Sequence, residues 1–258
     1  MKNVSHHSAK PSHYNKEAGH YDKFNEKNSA LINQTIEKIL KKYKAKTVLD
    51  LTCGTGSQVF WLAKCGYDVV GSDINSKMLM IAKNKAKKQK LNIKFVKGDM
   101  RTSKAGKFDA VITIFNAIGH LTKYDFEKSM RNIHANLNDG GLYVFDIFNL
   151  SYLLKNDNIT KLTIDNQKKY GNKKVREIQY STISNDGILA SYDIYHEQIG
   201  SNKPKISKAF QTLQIYSKKQ IKAMLQRNGF KVLKQCNIDG SKFSDSKSDR
   251  MLTIARKR

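Results

Sequence analysis

Between Thr47 and Phe148 short apolar strands and helical stretches alternate five times, and this constrains the chain more than any other feature. The strands read as Thr47 to Leu51, Tyr67 to Ser72, Asn92 to Val96, Phe108 to Phe115 and Leu142 to Phe148. Several are near-continuous apolar runs, the pattern of strands covered on both faces. Leu31, Ile32, Ile36, Ile39 and Leu40 recur at helical spacing over residues 28 to 43. Val59 to Lys64 predicts a second helix, Ser76 can cap a third through Ala86, and Thr122 with Asp125 forms a capping-box pattern opening a fourth to about Leu137, ended by Gly140 and Gly141. Strands alternating with helices in this way specify an open, mainly parallel α/β sheet.

The rhythm changes after Asn149. Lys173 to Thr182, Gly187 to Glu197 and Lys205 to Tyr216 are rich in β-branched and aromatic residues, and Asn185-Asp186-Gly187 is a hairpin turn signal. These runs predict a small antiparallel sheet inserted into the domain. A helix from Ser217 to Asn228, stopped by Gly229, and strands at Phe230 to Cys236 and Met251 to Ala255 complete the chain. The expected organisation is an N-terminal arm or short helix over residues 1–27, a main domain over 28–150 and 217–258, and an insertion over 151–216.

The turn after the first strand, Asp50-Leu-Thr-Cys-Gly-Thr-Gly, carries the chemistry. Ligands of open parallel sheets sit at the carboxyl ends of the strands, and Gly54 and Gly56 let the backbone approach one closely. Asp73, 23 residues beyond Asp50, stands where an acid accepts hydrogen bonds from ribose hydroxyls. The third glycine of a dinucleotide fingerprint is replaced by Val59, and no Gly-Lys-Ser/Thr is present for a phosphate loop. Asp50 would repel a pyrophosphate but suits a ligand bearing an ammonium and a sulfonium, as S-adenosylmethionine does.

Val48-Leu-Asp-Leu-Thr-Cys-Gly-Thr-Gly resembles the first motif of the Rossmann-like (class I) S-adenosylmethionine-dependent methyltransferases. Gly71-Ser-Asp-Ile-Asn-Ser-Lys-Met-Leu is similar to the second, Lys97-Gly-Asp-Met-Arg to the third, and Phe108-Asp-Ala-Val-Ile-Thr-Ile-Phe-Asn to the fourth. The resemblance covers about half the chain. It implies a seven-stranded Rossmann-like sheet with a small antiparallel β insertion. It also implies a donor site made by Asp50, Thr52, Cys53, Gly54, Gly56, Asp73, Ile74, Asp99, Met100 and Phe115, in which Asp73 holds the ribose, Asp99 reaches the adenine amino group, Met100 lies beside the ring and Phe115 is near the methionine end. Gly98-Asp-Met-Arg followed by Phe115-Asn-Ala-Ile-Gly-His-Leu is similar to the N-methyltransferases of amino sugars and glycine-like amines, whose insertion serves as a lid or dimer contact. Adenine-specific nucleic-acid enzymes carry Asn/Asp-Pro-Pro-aromatic, whereas Ala117 and Ile118 follow Asn116 here.

His120, just past the fourth strand, is the candidate base, since an imidazole near pKa 6.5 can take the proton an ammonium acceptor must lose. Its other reading is a loop-lining residue. Tyr21 is the second catalytic candidate, because the arm of related enzymes carries a Tyr-Asp pair folded over the donor. Tyr14 is expected at the methionine end. Cys53 offers backbone contacts, with no base evident to activate it. His134 reads as a helix-face residue, and nothing ranks His196 above surface.

The net charge of +25 raises nucleic acid as a partner, but only seven of the 47 basic residues are Arg and Lys is spread over the whole length. A small-molecule acceptor, favoured as an amine, is therefore expected ahead of RNA or protein, or of a donor-binding module without turnover. A homodimer is compatible with the insertion. No apolar run reaches about 18 residues, no secretory signal is visible, no metal-ligand spacing is present, and Cys53, Cys65 and Cys236 make an odd, sparse set. Those features lead to expectations of a cytoplasmic location with neither membrane nor metal.

Overall fold

The computed structural model describes residues 4–15, 18, 21–155 and 162–258, with the backbone alone described for 21–28. Helix α1 (Tyr21–Lys42) is followed by β1 (Thr47–Asp50), α2 (Ser57–Lys64), β2 (Asp68–Asp73), α3 (Ser76–Lys88), β3 (Lys94–Lys97) and β4 (Phe108–Thr113). A 3₁₀ turn (Ala117–His120) leads into α4 (Lys123–Ala135), β5 (Leu137–Phe148) and the short α5 (Leu150–Leu153). The insertion holds β6 (Thr163–Tyr170), β7 (Lys173–Ile183), β8 (Ile188–Ile199) and β9 (Lys205–Gln214); α6 (Lys218–Arg227), β10 (Phe230–Cys236) and β11 (Arg250–Lys257) close the chain.

The main sheet has the order β10-β11-β5-β4-β1-β2-β3. The five strands of the alternating region are parallel, and β11 enters antiparallel between β5 and β10. The expected seven-stranded Rossmann-like sheet is thus present. The chain runs outward from β1 to β3, then returns to the other side of β1 as β4. The two halves of the winding part between β1 and β4, which opens a crevice at their carboxyl ends.

Both faces of this sheet are buried, and β5 shows how. Tyr143, Phe145 and Ile147 point to one side and pack with Phe126, Met130 and Ile133 of α4 and Ile221, Met224 and Leu225 of α6. Leu142 and Val144 point to the other and pack with Ile32, Ile36 and Leu40 of α1 and Val59 and Leu62 of α2. Alternation at period two inside an apolar run is what two covered faces require.

The structure corrects several local expectations. Helix α1 begins at Tyr21, so its first turns lie within the stretch read as an arm or short helix and run on into the helix expected over 28–43. Asn75, not Ser76, caps α3, its Oδ1 accepting from the N–H groups of Lys77 and Met78 at 2.9 and 3.0 Å. Gly140 and Gly141 do not end α4; it stops at Ala135 and the glycines lie inside β5. The antiparallel sheet has four strands, in the order β6-β7-β8-β9. The unanticipated β6 reads Thr-Ile-Asp-Asn-Gln-Lys-Lys-Tyr, a polar edge strand without the alternating apolar signal. Leu189, Leu213 and Ile215 seat that sheet on Leu150 and Leu153. Among the described residues, no helix is long and apolar enough to cross a membrane.

Candidate active site

The crevice between β1 and β4 is a cleft with about 790 Å³ of empty space, its open mouth included. Its wall is assembled from the ends of four strands. From the first turn come Thr52 and Gly54, from β2 Asp73 with Ile74 and Asn75, after β3 Asp99, Met100 and Arg101, and after β4 Phe115, Ala117 and His120. Residues of the arm, Ala9, Lys10, Pro11, His13 and Tyr14, close it from above.

The glycine turn is held to both neighbouring strands. The Leu51 N–H donates to the Ile112 carbonyl at 3.0 Å and the Cys53 N–H to the Ser72 carbonyl at 2.8 Å. Gly54 (φ 52°) and Gly56 (φ 95°) both take left-handed conformations, and a Cβ on Gly56 would stand 2.6 Å from the Phe60 ring. The Gly54 N–H donates to Asp73 Oδ2 at 2.8 Å and the Asn75 N–H to Asp73 Oδ1 at 2.8 Å. These bonds clamp the carboxylate at the cleft wall and leave each oxygen a lone pair for a ligand hydroxyl. Burial raises the Asp73 pKa despite these donors.

Asp50 lies behind the turn and is buried. Its Oδ1 accepts from the Thr52 N–H at 3.2 Å, while its Oδ2 and the Thr52 hydroxyl find no hydrogen-bond partner among the described residues. Burial first, and the Asp73 charge after it, push the Asp50 pKa up to about 8, against the pull of the Thr52 N–H. A buried carboxyl with an unused oxygen is costly unless something cationic completes it. Cys53 and Gly56 stand beside Asp50 in the turn without forming the cleft wall, and burial, with the charges of Asp50 and Asp73, pushes the Cys53 thiol up, so it is not a ready thiolate.

Phe115 (φ 62°) and Asn116 (φ 60°) follow β4 in left-handed conformations. Asn116 pins this strained corner to β5: its N–H donates to Asp146 Oδ1 at 3.3 Å and its Oδ1 accepts from the Phe148 N–H at 3.2 Å. The corner sends the chain into the 3₁₀ turn that presents His120.

His120 does not keep the ordinary imidazole pKa the sequence led one to expect. Burial, then the neighbouring His13 and His6, push it down to about 3, and its Nε2 lies 2.5 Å from the Tyr14 hydroxyl. The ring is neutral at physiological pH, with Tyr14 donating to Nε2 when the ring proton is on Nδ1. His13 packs against the same ring, centroids 5.1 Å apart. The Tyr21 side chain lies outside the described residues. His134 packs edge-on to Phe230 in the core, and His196 lines a separate basic hollow with Lys174 and Arg176 on the insertion.

Of the donor-site candidates, Tyr14, Thr52, Gly54, Asp73, Ile74, Asp99, Met100 and Phe115 meet on the cleft wall, together with His120. Sequence reasoning passed over Arg101, Asn75, His13 and Ser8. Arg101 is visible within the third motif and Asn75 within the second, but the pairing of each with a distant residue is not. Asn75, for example, donates to Asn15 of the arm at 3.1 Å.

Residues 48–141, which supply the strand-end wall of this crevice, match the family described as a methyltransferase domain. Over 122 residues the chain is 33% identical to the glycine/sarcosine N-methyltransferase of Parasynechococcus marenigrum, covering 46% of this chain and 43% of that protein. Over 111 residues it is 34% identical to a ubiquinone biosynthesis O-methyltransferase of Coxiella burnetii, covering 42% and 46%. The chain spans less than half the length of the curated relatives it matches. Across nearly its whole length it shares the fold of an S-adenosylmethionine-dependent methyltransferase from Clostridium acetobutylicum (TM-score 0.78, 20% identity, 94% of this chain and 98% of that one). The sugar N-methyltransferase KedS8 from a Streptoalloteichus species also shares it (TM-score 0.72, 15% identity, 98% and 96%).

Proposed function

We propose that this protein is an S-adenosylmethionine-dependent methyltransferase acting on a small molecule, with an amine as the favoured acceptor. The observation that carries the reading is the convergence of four separate motifs on one cleft, with the buried, incompletely satisfied Asp50 behind it. The residues fit the donor. The unused Asp50 oxygen and Thr52 hydroxyl suit its ammonium, the clamped Asp73 its ribose hydroxyls, and Asp99 with Met100 its adenine. When bound, S-adenosylmethionine supplies both the methyl group and the leaving group.

The protein's part is then alignment, exclusion of water and handling of one proton. The arm covers the cleft and keeps water out. His120 and Tyr14, joined at 2.5 Å, stand on the acceptor side. In the tautomer whose Nε2–H donates to the Tyr14 oxygen, Nδ1 of the neutral ring is the acceptor for an amine N–H and orients the amine lone pair, whereas the low pKa makes the ring a poor store for the proton. His120 therefore acts as an orienting acceptor, and the methylated ammonium gives up its proton to solvent once the product has left the cleft. Support for an amine comes from the glycine/sarcosine relative and the sugar N-methyltransferase neighbour; the O-methyltransferase relative marks the competing chemistry.

The first test is calorimetric titration with S-adenosylmethionine and S-adenosylhomocysteine, followed by turnover on a panel of amines. Micromolar binding and amine-dependent product are expected, with turnover by His120→Ala reduced roughly 10²-fold through lost alignment of the acceptor at little cost in donor affinity. Binding without turnover on amines, hydroxyls or added RNA would indicate a donor-binding module. Turnover only with RNA, falling steeply with salt, would favour the reading raised by the +25 charge.

A further inference from the structure

Arg101 stands between two carboxylates that belong to different parts of the site. Its Nη2 is 2.5 Å from Asp99 Oδ2, its Nε 3.0 Å from both Asp99 oxygens, and its backbone N–H 2.8 Å from Asp99 Oδ1. Its Nη1 reaches Asp125 Oδ2 at 2.7 Å. Asp125 sits in the first turn of α4, where a capping box would send its carboxylate back to the Thr122 N–H. Only half of that box forms: the Thr122 hydroxyl accepts from the Asp125 N–H at 3.2 Å. The other half is replaced by the arm. The Thr122 N–H donates to Ser8 Oγ at 3.0 Å, and Ser8 Oγ donates to Asp125 Oδ2 at 2.5 Å. The next residue, Ala9, donates its N–H to the His120 carbonyl at 2.8 Å and lines the cleft.

A continuous line of charge-assisted hydrogen bonds thus runs from the cleft floor to its cover: Asp99, Arg101, Asp125, Ser8. We propose that Arg101 is a positioning residue that couples closure of the arm to recognition of the donor's 6-aminopurine. This rests on the donor reading above. The planar fork fixes the rotation of the Asp99 carboxylate and keeps it ionised, so that it only accepts hydrogen bonds. A fixed, ionised acceptor favours a purine carrying an amino group at C6 and disfavours one carrying a carbonyl, which would face it lone pair to lone pair. The same guanidinium aims Asp125 at Ser8. The arm therefore docks best when Arg101 is in the position that readies Asp99.

The test is calorimetric titration with S-adenosylhomocysteine and its 6-oxo analogue S-inosylhomocysteine. The variants are Ser8→Ala, Asp125→Asn and Arg101→Lys; neither Ser8 nor Asp125 lines the cleft. Asp125→Asn and Ser8→Ala are expected to weaken the adenosyl ligand roughly fivefold to fiftyfold and the inosyl ligand much less, so that discrimination between the two narrows. Arg101→Lys keeps the charge without the fork and is expected to narrow it further. Ser8→Ala removes one hydroxyl near the chain's start and keeps the test open if Arg101→Lys fails to fold. Unchanged affinities, or an equal loss for both ligands, would overturn the coupling and leave the arm as a plain cover. A wild-type protein that binds neither ligand would overturn the donor reading itself.

Discussion

Asp50 illustrates how one residue's environment sets its chemistry. Its pKa of about 8 means that the carboxyl is mostly protonated at pH 7. A cationic ammonium placed at its unused oxygen favours the ionised form and draws the pKa back down. Donor binding at pH 6 to 7 is therefore expected to release up to about one proton, and the release should fade above about pH 8, where Asp50 is already ionised. Calorimetry in buffers of differing ionisation enthalpy measures this directly. Asp50→Asn should abolish the release and weaken binding by roughly 10- to 100-fold. Proton release that persists in Asp50→Asn would place its source elsewhere.

Among the elements, the arm is where sequence and structure diverge most. Its residues are polar with scattered aromatics, and no period marks where it docks. Among the described residues it is tied through Asn15 to Asn75, through Ser8 and Ala9 to the segment His120 to Asp125, and through His6 Nδ1 to the Thr212 hydroxyl of β9 at 2.9 Å. Docking buries His120 and His6, and burial lowers the pKa of both. In the unfolded chain His120 titrates near 6.5; in the folded one, near 3. Between those values the unfolded chain takes up a proton that the folded chain refuses. The stability contribution is thus whole above pH 6.5 and declines as the pH falls from there toward 3. His120→Gln should flatten part of this slope when Tm is followed against pH; an unchanged slope would mean that His120 protonates freely in the folded state. The fourth strand of the insertion was hidden for a related reason. An edge strand facing solvent needs no apolar alternation, so β6 carries none.

At the scale of the whole molecule, the sheet depends on strands that are distant in sequence. β11 lies between β5 and β10, and Arg250 at its start reaches Asp146 of β5 at 3.2 Å, with the Asp146 side chain fully buried. Arg250 also lies over the Phe148 ring, 4.8 Å from its centroid. Arg250→Met removes one partner and leaves a buried carboxylate uncompensated, which typically costs about 3–5 kcal/mol. Chemical denaturation should show a loss of that order. A loss below about 1 kcal/mol would mean that the Asn116 N–H alone satisfies Asp146. Because Asp146 also holds Asn116, the same variant is expected to disturb the corner that presents His120.

The alternation of apolar strands with helices determined an open, mainly parallel sheet, and the glycine turn with the two acids at its flanks marked the position of the cleft, while the seven-stranded winding was what the resemblance implied. The alternation and the turn are local patterns, and local patterns follow from periodicity and backbone sterics. The same sequence could place Asp73, Asp99 and Phe115 at strand ends, because strand ends are locally readable. It could not show that His120 loses its basicity, that Arg101 joins Asp99 to Asp125, or that Ser8 completes the α4 cap. Those depend on which distant groups share a buried volume, and therefore on desolvation and charge pairing that exist only once the arm, the loop after β4 and helix α4 have packed together.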